Sequence, residues 1–541
     1  MKRSHRLLLS VLSGILISLA WLGLPGWVLF IAFLPLLYLD NFFVINKDEF
    51  HSVSFWGHAF LAFFIWNILT TWWIVHATFV GAAMAIIFNS FLMSLVWWLA
   101  HFARRTFKSN LGYISLVVFW ISFEYFHFHW DIEWPWLTLG SAFANNVKII
   151  QWYEYTGVLG GTIWVLTINV LLFREVNNLR EGRPFIHLVL PFSFIAFLIF
   201  GPIIFSSVKY SNYTEKENPQ EIVIVQPNID PYSEEYDVEA ENQKLMTFLR
   251  LAEAEVSHNT DYIIGPETLF ENSNYWNEDQ LNSSFLLQKL SFFLINYPNT
   301  EMVFGTTSYK IYQNRAEATP TARIRDGFIY NLFNSAIFLG NNRDAQIYHK
   351  SILVAGVEKM PFLKYLGFLG DWVINIGGTS NSLGRQDKPT NFISKDGLQV
   401  APVICYESVF GEYVAKYVQN GAGLIFIITN DGWWRNTPGY KQHLSFARLR
   451  AIETRRSIAR AANTGISCFI NQRGDILHRA PWWQEAAING TLNANDKLTF
   501  YVKYGDFIAR LSLFVSVLLG LNLVSQNLIK RQKKSASIPF A

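Results

Sequence analysis

The chain has 541 residues, more than one domain of ordinary size, and it is 51% hydrophobic but only 16% charged. Globular proteins carry roughly 25% charged residues, so the composition is unusually apolar. The net charge of +3 gives no indication of a nucleic-acid partner, and two cysteines exclude a disulfide framework and a cysteine-based zinc site. A single Cys405–Cys468 bridge is left open, and no cofactor or metal is expected.

Long apolar runs fill the first 208 residues and return near the C-terminus. A helix needs about 20 apolar residues to span a bilayer. The first run follows Lys2, Arg3 and Arg6 as in a signal peptide, but it lacks a small-residue cleavage site and is interpreted as an uncleaved span. The pattern predicts an α-helical membrane bundle of about eight transmembrane helices, at 7–24, 26–44, 54–75, 78–102, 112–129, 151–173, 185–207 and 507–527.

Basic residues mark alternate loops between these spans. Lys and Arg cluster before the first span and after the fourth, sixth and eighth, while the intervening loops carry almost none. The positive-inside rule therefore predicts cytoplasmic termini and an outer location for residues 208–506. The predicted regions are seven spans in 1–210, a soluble domain in 215–502, the last span in 505–528 and a basic tail in 529–541.

One carboxylate lies within a predicted span. Glu124 is near the outer end of the fifth span, and carboxylates inside membranes often mark function. The favoured interpretation is that Glu124 instead reaches the interface or forms a hydrogen bond with a neighbouring helix.

The outer region alternates short β-rich runs with helical patterns, which is typical of an α/β domain whose helices cover its sheets. The predicted helices are 238–258, 283–296, 409–419 and 441–461. The last is rich in Arg and Glu and is interpreted as a surface helix stabilised by charge pairs rather than as an anion site. The predicted strands lie near 221–225, 262–265, 302–307, 335–339, 400–404, 424–429 and 466–471.

Cys405 directly follows the predicted buried strand at 400–404 and lies just before the helical pattern at 409–419. This order predicts a strand, a sharp turn and a helix, with the thiol near the first N–H groups of the helix. Such a position favours the thiolate. By itself the segment is equally consistent with a small buried hydrophobic side chain, since free Cys is among the most buried residue types.

Two further ionisable residues, Glu267 and Lys350, lie at predicted strand or loop ends. Taken alone, each of these residues is better explained as an ordinary charged side chain than as a catalytic group. Together with Cys405 they provide a base, a cation and a nucleophile, which are the groups that acyl transfer by a thiol requires. The carboxylate accepts the thiol proton, and the cation with backbone N–H groups stabilises the oxyanion.

The order Glu, Lys, Cys in the contexts 265–268, 348–350 and 404–407 resembles the carbon–nitrogen hydrolase (nitrilase) superfamily. The membrane spans around the outer domain resemble its apolipoprotein N-acyltransferase branch, and the resemblance covers nearly the whole chain. It implies a nitrilase-like α-β-β-α sandwich for the outer domain. Further matching segments are 133–140, 151–169, 225–229, 353–358, 429–434, 443–453 and 460–465.

The resemblance implies Glu267 as general base, Lys350 as oxyanion stabiliser and Cys405 as the nucleophile that carries the acyl group. It further implies a set of supporting or pocket residues, namely Glu358, Tyr406, Glu407, Trp433 and Tyr236.

Three positions depart from the family pattern. Gly265 stands where Trp often precedes Pro-Glu, Ala355 replaces a usual Pro, and Tyr236 occupies the place of a Trp. These departures affect pocket shape and loop rigidity and leave the chemistry unchanged.

The implied reaction is ping-pong transfer of an acyl chain from a phospholipid to the N-terminal amine of a diacylated apolipoprotein. The implied location is the bacterial inner membrane, with the catalytic domain in the periplasm. The apolar segment 361–374, with Gly367 and Gly370 as hinges, is either a mobile lid or a packed amphipathic helix. Two rival hypotheses are a membrane-tethered amidase that acts on a small amide, and a transporter or receptor without catalysis.

Overall fold

The computed structural model describes all residues except 108–109, 233–237, 272–275, 326, 363–381 and 537–541. The chain forms two compact units. The first, called here the helical unit, comprises Met1–Trp72, Ala82–Val208 and Asp506–Ala541. The second, called the sheet unit, comprises Trp73–Gly81 and Lys209–Gly505.

The helical unit is built from α-helices joined by short turns and 3₁₀ segments. A long C-terminal helix, Phe507–Ala536, completes it. The other helices are α1 (Arg3–Ser18), α2 (Leu29–Ala32), α3 (Leu34–Ile45), α4 (Ser52–Thr71), α5 (Phe79–Thr106), α6 (Leu111–His127), α7 (Tyr153–Arg180) and α8 (Val189–Asn212).

The predicted helical membrane region is confirmed, whereas the count of eight spans stays a prediction. Two predicted spans, 7–24 and 112–129, fold as the shorter helices α1 and α6. Six helical stretches of the described chain are long and apolar enough to cross a bilayer: Gly26–Ile45, Ser52–His76, Phe79–Thr106, Tyr153–Arg180, Val189–Asn212 and Phe507–Lys530.

Glu124 is buried in the helical unit. Its Oε1 accepts hydrogen bonds from Trp120 Nε1 at 2.9 Å and from the N–H of Leu139 at 2.8 Å. Its Oε2 accepts one from the hydroxyl of Thr162, on helix α7, at 2.6 Å. The predicted bond to a neighbouring helix is therefore confirmed, and these neutral donors provide the partners that a buried carboxyl group requires.

The described part of the sheet unit contains two β-sheets. The first is ordered β14-β1-β2-β4-β6-β5, with β3 beside β4 and β7 beside β6, and the second is ordered β13-β12-β11-β10-β9-β8. The strands are β1 (Pro219–Gln226), β2 (Tyr262–Ile264), β3 (Trp276–Asn277), β4 (Glu301–Tyr312), β5 (Arg323–Arg325), β6 (Phe328–Leu339), β7 (Gln346–His349), β8 (Phe392–Ile393), β9 (Gln399–Ile404), β10 (Leu424–Thr429), β11 (Ser457–Ala462), β12 (Cys468–Ile470), β13 (Ile476–Arg479) and β14 (Ala486–Asn493).

Five α-helices in the described part of the sheet unit accompany these sheets. Among them α9 and α10 pack on one face of the first sheet, and α11 and α12 join the core cluster of the second sheet. The helices are α9 (Val238–Glu255), α10 (Phe285–Ile295), α11 (Gly411–Gln419), α12 (Pro438–Thr454) and α13 (Phe500–Tyr504).

Alternation along β1 shows how the layers pack. Ile222 and Ile224 join a core cluster that includes Phe426 of the second sheet, whereas Val223 and Val225 face the helices α9 and α10. Successive side chains of a strand point to opposite faces, so the first sheet is covered by a sheet on one side and by helices on the other. The predicted α-β-β-α sandwich is therefore confirmed.

The predicted surface helix at 441–461 is wrong in extent and in exposure. Helix α12 ends at Thr454, Arg455 adopts a left-handed conformation with φ 51°, and β11 follows. Arg450, Arg456 and Glu453 are buried. Arg456 donates hydrogen bonds to the backbone carbonyls of Ala422 and Lys497, at 2.6 and 2.8 Å. Its guanidinium therefore joins buried segments of the fold and does not form a surface charge pair.

Candidate active site

Cys405 directly follows strand β9 and begins a 3₁₀ turn, Cys405–Val409, that leads to helix α11. The predicted strand, turn and helix are therefore present. The backbone of Cys405 has φ 49°, a left-handed conformation that costs a non-glycine residue about 1–3 kcal/mol. The surrounding contacts must hold this conformation, and they involve carboxylate, imidazole and guanidinium groups from several elements.

The thiol of Cys405 is buried, and it forms no disulfide with Cys468 because both cysteines are free. Burial raises the pKa of the Cys405 thiol well above its usual value, and the nearby charge of Glu267 raises it further, against the opposing effect of Lys350. The expectation of a thiolate at this turn is therefore wrong for the resting site. A neutral thiol needs a base to take its proton.

Glu267 lies in the loop after β2 and is 5% exposed. Its Oε1 accepts hydrogen bonds from Lys350 Nζ at 3.1 Å and Asn334 Nδ2 at 2.8 Å, and its Oε2 accepts one from the N–H of Asn430 at 3.1 Å. Strand β4 passes so close that a Cβ on Gly305 would lie 2.6 Å from the Cα of Glu267. Only glycine fits there, so the close approach of β4 fixes the backbone of Glu267, from which the carboxylate projects.

Lys350 follows β7 and is 1% exposed. Its Nζ donates hydrogen bonds to Glu267 Oε1 and to Glu358 Oε1, the latter at 2.8 Å. Burial by itself would lower the pKa of Lys350, but the two carboxylates raise it well above its usual value. Lys350 is therefore a cation in a buried site, which is the form required to stabilise an oxyanion.

Glu358 and Asn334 complete this group. Asn334 Nδ2 donates hydrogen bonds to Glu358 Oε1, at 3.0 Å, and to Glu267. The backbone carbonyl of Asn334 accepts a hydrogen bond from the N–H of Lys350 at 2.8 Å. Glu358 Oε2 accepts from the N–H of Val354 at 2.8 Å. We call Glu267, Asn334, Lys350 and Glu358 the lysine cluster. The sequence did not single out Asn334, because it is one of several polar residues in strand β6, beside Asn331 and Ser335.

Glu407, two residues after the nucleophile, is fully buried, and this burial raises its pKa to about 7. Its Oε1 accepts from the hydroxyl of Tyr348 at 2.6 Å and the N–H of Ser351 at 2.7 Å, and its Oε2 accepts from the N–H of Ile404 at 2.8 Å. Glu407 therefore joins the end of β9 to the segment around Lys350. This geometry explains why a carboxylate beside the nucleophile holds the site together.

A second charged group, which the sequence did not single out, lies against the backbone of the nucleophile. Asp431 accepts a hydrogen bond from Arg460 at 2.7 Å, and its Oδ1 lies 2.9 Å from His443 Nδ1. Burial would raise the pKa of Asp431, but Arg460 and His443 lower it to about 2. His443 Nε2 lies 3.1 Å from the carbonyl oxygen of Cys405. We call Asp431, His443 and Arg460 the histidine cluster.

Two models of known protein families match this chain. The family model for carbon-nitrogen hydrolases matches residues 222–496, about half of the chain. The chain belongs to the carbon–nitrogen hydrolase family. A second model, for the apolipoprotein N-acyltransferase N-terminal domain, matches residues 13–171 in the helical unit. Both matches agree with the resemblance seen in the sequence.

Several similar proteins cover almost the whole chain. A Chlorobaculum tepidum protein named apolipoprotein N-acyltransferase is 28% identical over 539 residues, covering 95% of each chain. A Thermotoga maritima protein of the same name is 28% identical, covering 94% of this chain and 92% of its own. Among solved structures, Saccharomyces cerevisiae Nit3, a member of branch 10 of the nitrilase superfamily, is 16% identical and covers 52% of this chain and 93% of its own, with a TM-score of 0.36.

The remaining predicted residues of this carbon–nitrogen hydrolase lie in different surroundings. Tyr406 is buried, and its ring centroid lies 5.2 Å from that of Phe410. Trp433 is 42% exposed, and its carbonyl accepts a hydrogen bond from the hydroxyl of Tyr232 at 2.7 Å. Tyr236 lies outside the described residues, as does most of the segment 361–374 that was predicted as a lid or helix.

One departure from the family pattern now has a local explanation. A Cβ on Gly265 would lie 2.9 Å from the ring of Phe248 and 3.0 Å from Leu269, so no larger side chain fits without repacking. The side chains of Phe248 and Leu269 fill the space that a side chain at position 265 would need. Ala355 forms an isolated β-bridge with Lys359, in the turn that carries Glu358.

Proposed function

We propose that this protein transfers an acyl chain from a membrane phospholipid to the N-terminal amine of the diacylglyceryl-cysteine of apolipoproteins, through a thioester on Cys405. The observation that carries the proposal is a buried Cys405 beside Glu267 and the Lys350 ammonium, in a chain similar over nearly its whole length to proteins named apolipoprotein N-acyltransferase. The membrane-integral helical unit agrees with substrates that are lipids and lipoproteins.

In the first half-reaction, the sulfur of Cys405 attacks the ester carbonyl of the phospholipid while Glu267 takes the thiol proton. Lys350 and the N–H of Tyr406 stabilise the oxyanion of the tetrahedral intermediate. The C–O bond then breaks, and Glu267 returns the proton to the departing alkoxide. A lysophospholipid leaves, and the acyl chain remains on Cys405 as a thioester.

In the second half-reaction, the α-amine of the acceptor attacks the thioester carbonyl. Glu267 takes a proton from the amine, the C–S bond breaks, and Glu267 then gives this proton to the leaving thiolate of Cys405. The product is an amide, which is far less reactive than a thioester, so the transfer runs forward. The raised thiol pKa matches this scheme, because proton removal then accompanies attack on bound substrate.

The site also supports a proposed location. Both substrates lie in a bilayer surface, so we infer that the sheet unit faces the periplasm at the bacterial inner membrane, with both termini in the cytoplasm. The distribution of Lys and Arg between the loops supports this orientation. Labelling of an engineered cysteine at Ser4 or Ser537, in a Cys405→Ala/Cys468→Ala background, by a membrane-impermeant reagent tests it in spheroplasts. Labelling of either position before lysis would contradict it.

The decisive experiment is mass spectrometry of the purified full-length protein with phospholipid and without acceptor. We expect an acyl adduct on Cys405 that disappears when a diacylated lipopeptide is added. The matched control is Cys468→Ala, which removes the other buried thiol and should keep the adduct. Absence of an adduct together with full activity in Cys405→Ala would overturn the proposal. Rapid hydrolysis of soluble amides without transfer would favour an amidase.

A further inference from the structure

The carbonyl group of the nucleophile itself has side-chain donors. His443 Nε2 lies 3.1 Å from the oxygen of Cys405 and 3.0 Å from the hydroxyl of Ser408, and that hydroxyl donates to the same carbonyl at 2.7 Å. A carbonyl oxygen can only accept hydrogen bonds, and the Ser408 hydroxyl already gives its proton to that carbonyl, so the geometry assigns a proton to Nε2 that faces both oxygens. The imidazole of His443 therefore holds the backbone of the residue that carries the nucleophilic sulfur.

The imidazole ring is itself fixed from several sides. Asp431 Oδ1 lies 2.9 Å from Nδ1, and Arg460 holds the other oxygen of Asp431 at 2.7 Å. The ring of Trp434 meets the imidazole edge to face, with 5.4 Å between centroids. Asp431, His443 and Arg460 are each no more than 1% exposed. This burial leaves the ring a single orientation, with Nε2 directed at Cys405.

The peptide between Cys405 and Tyr406 is trans and planar, so its carbonyl and its N–H point in opposite directions. A donor that fixes the carbonyl oxygen therefore fixes the direction of the Tyr406 N–H as well. Hydrogen bonding at the oxygen also polarises the peptide and makes that N–H a stronger donor. The left-handed φ of 49° at Cys405 means that this peptide plane needs such a restraint.

We propose that His443 is a positioning residue that orients and polarises the Cys405–Tyr406 peptide so that the Tyr406 N–H stabilises the oxyanion. The inference rests on the proposed acyl transfer, because it concerns the tetrahedral intermediates of that reaction. Asp431 and Arg460 act through His443. Helix α12 restrains the far end of the same turn, since Arg450 donates to the carbonyl of Val409 at 2.7 Å.

The alternative is that His443 only fills the core behind the turn. The two roles differ in which reactions of Cys405 they affect. Acylation passes through an oxyanion, whereas alkylation of the thiol by iodoacetamide displaces iodide at a saturated carbon and forms none. A residue that serves the oxyanion affects acylation alone. A residue that only supports the fold affects both reactions, because both need the thiol in place.

The test compares His443→Phe, which keeps a ring but removes both nitrogens, with His443→Gln, whose amide N–H reaches roughly to the position of Nε2. In the full-length protein we expect His443→Phe to lower the acylation rate of Cys405 roughly 100-fold, the usual effect of losing an oxyanion donor. The KM for phospholipid and the alkylation rate should stay close to wild type. His443→Gln should recover most of the acylation rate. Ser445→Ala, on the same helix, is the matched control.

Each outcome has a separate meaning. Wild-type acylation in His443→Phe, or a parallel loss of alkylation and acylation, would overturn the positioning role while leaving the acyltransferase intact. Failure of the wild-type protein to form an acyl adduct would instead overturn the proposed function. His443→Gln as slow as His443→Phe would show that the donor does not matter, and would also overturn the inference.

Discussion

The lysine cluster and the histidine cluster both bury carboxylates beside cations, yet they act on different parts of Cys405. The lysine cluster surrounds one ammonium with two carboxylates and an amide, and its charges affect the thiol. The histidine cluster surrounds one carboxylate with a guanidinium and an imidazole, and it contacts the backbone carbonyl of Cys405.

This difference follows from what each cluster must do during the reaction. Glu267 has to gain and lose a proton, and its Oε2 accepts a single hydrogen bond among the described residues, which leaves a lone pair for the thiol proton. Asp431 has no such task, and its two oxygens are held by Arg460, His443 and the hydroxyl of Thr429. Among the described residues each carboxylate accepts three hydrogen bonds, so the two differ in where they act: Glu267 lies beside the thiol, whereas Asp431 acts on the backbone of Cys405 through His443.

The largest expected effect comes from the cation of the lysine cluster. Lys350→Met leaves two buried carboxylates without a counter-charge, which costs roughly 3–5 kcal/mol of stability, and it also removes the oxyanion cation. We expect no detectable acyl adduct on Cys405 by mass spectrometry and a lower unfolding temperature. Lys416→Met, at an exposed lysine on α11, is the control and should match wild type. A stable and active Lys350→Met protein would contradict the assigned role of the lysine cluster, and with it the comparison of the two clusters.

Glu267→Gln should move two reactions of Cys405 in opposite directions. Loss of the base is expected to slow acylation by roughly 10²–10⁴-fold. The negative charge of Glu267 raises the thiol pKa, so its removal lowers that pKa and increases the thiolate fraction at a given pH. Alkylation by iodoacetamide at neutral pH should therefore become faster than in wild type.

The control for this prediction is Glu239→Gln, at an exposed glutamate on α9. In the wild-type protein the alkylation rate should continue to rise above pH 9, because the thiol pKa is raised. Slower alkylation in Glu267→Gln would mean that its carboxylate does not control the charge of the thiol.

Asp431 should control stability in acid. Its pKa is lowered from 3.8 to about 2 in the folded protein, so its contribution is complete above about pH 4 and is lost as the pH falls through 2. The shift corresponds to about 2 kcal/mol. In Asp431→Asn we expect lower stability at neutral pH and a weaker loss between pH 4 and 2. Denaturation in detergent at several pH values measures both, and an unchanged acid slope would contradict the prediction.

The smallest effect is expected in the helical unit, where a carboxyl group is held by neutral donors alone. Glu124→Gln replaces one carboxyl oxygen, which accepts hydrogen bonds, by an amide NH₂ group that faces another donor. This replacement costs about 1–2 kcal/mol of stability. Acylation should stay close to wild type, and the unfolding temperature should fall slightly. A large loss of acylation in a folded Glu124→Gln protein would give Glu124 a role beyond structure and would extend the comparison to a third site.

Much of the architecture was predictable because its signals are local. Apolar runs long enough to cross a bilayer indicate the helical unit, and alternating short strands and helices indicate the sheet unit. The helix at 441–461 was predicted wrongly because no glycine or proline marks its end. Arg455 ends it by taking a left-handed conformation, and its guanidinium donates to the carbonyl of Gln472 at 3.0 Å.

The sequence by itself determined the membrane character of the chain and the candidate groups Glu267, Lys350 and Cys405, because side-chain chemistry and apolar length are properties of short segments. Only the tertiary structure decided the protonation of the thiol and the partners of Cys405. His443 reaches it across 38 residues, and Asn334 reaches Glu267 across 67. Such contacts arise from strand order and burial, which bring distant segments into one low-dielectric site.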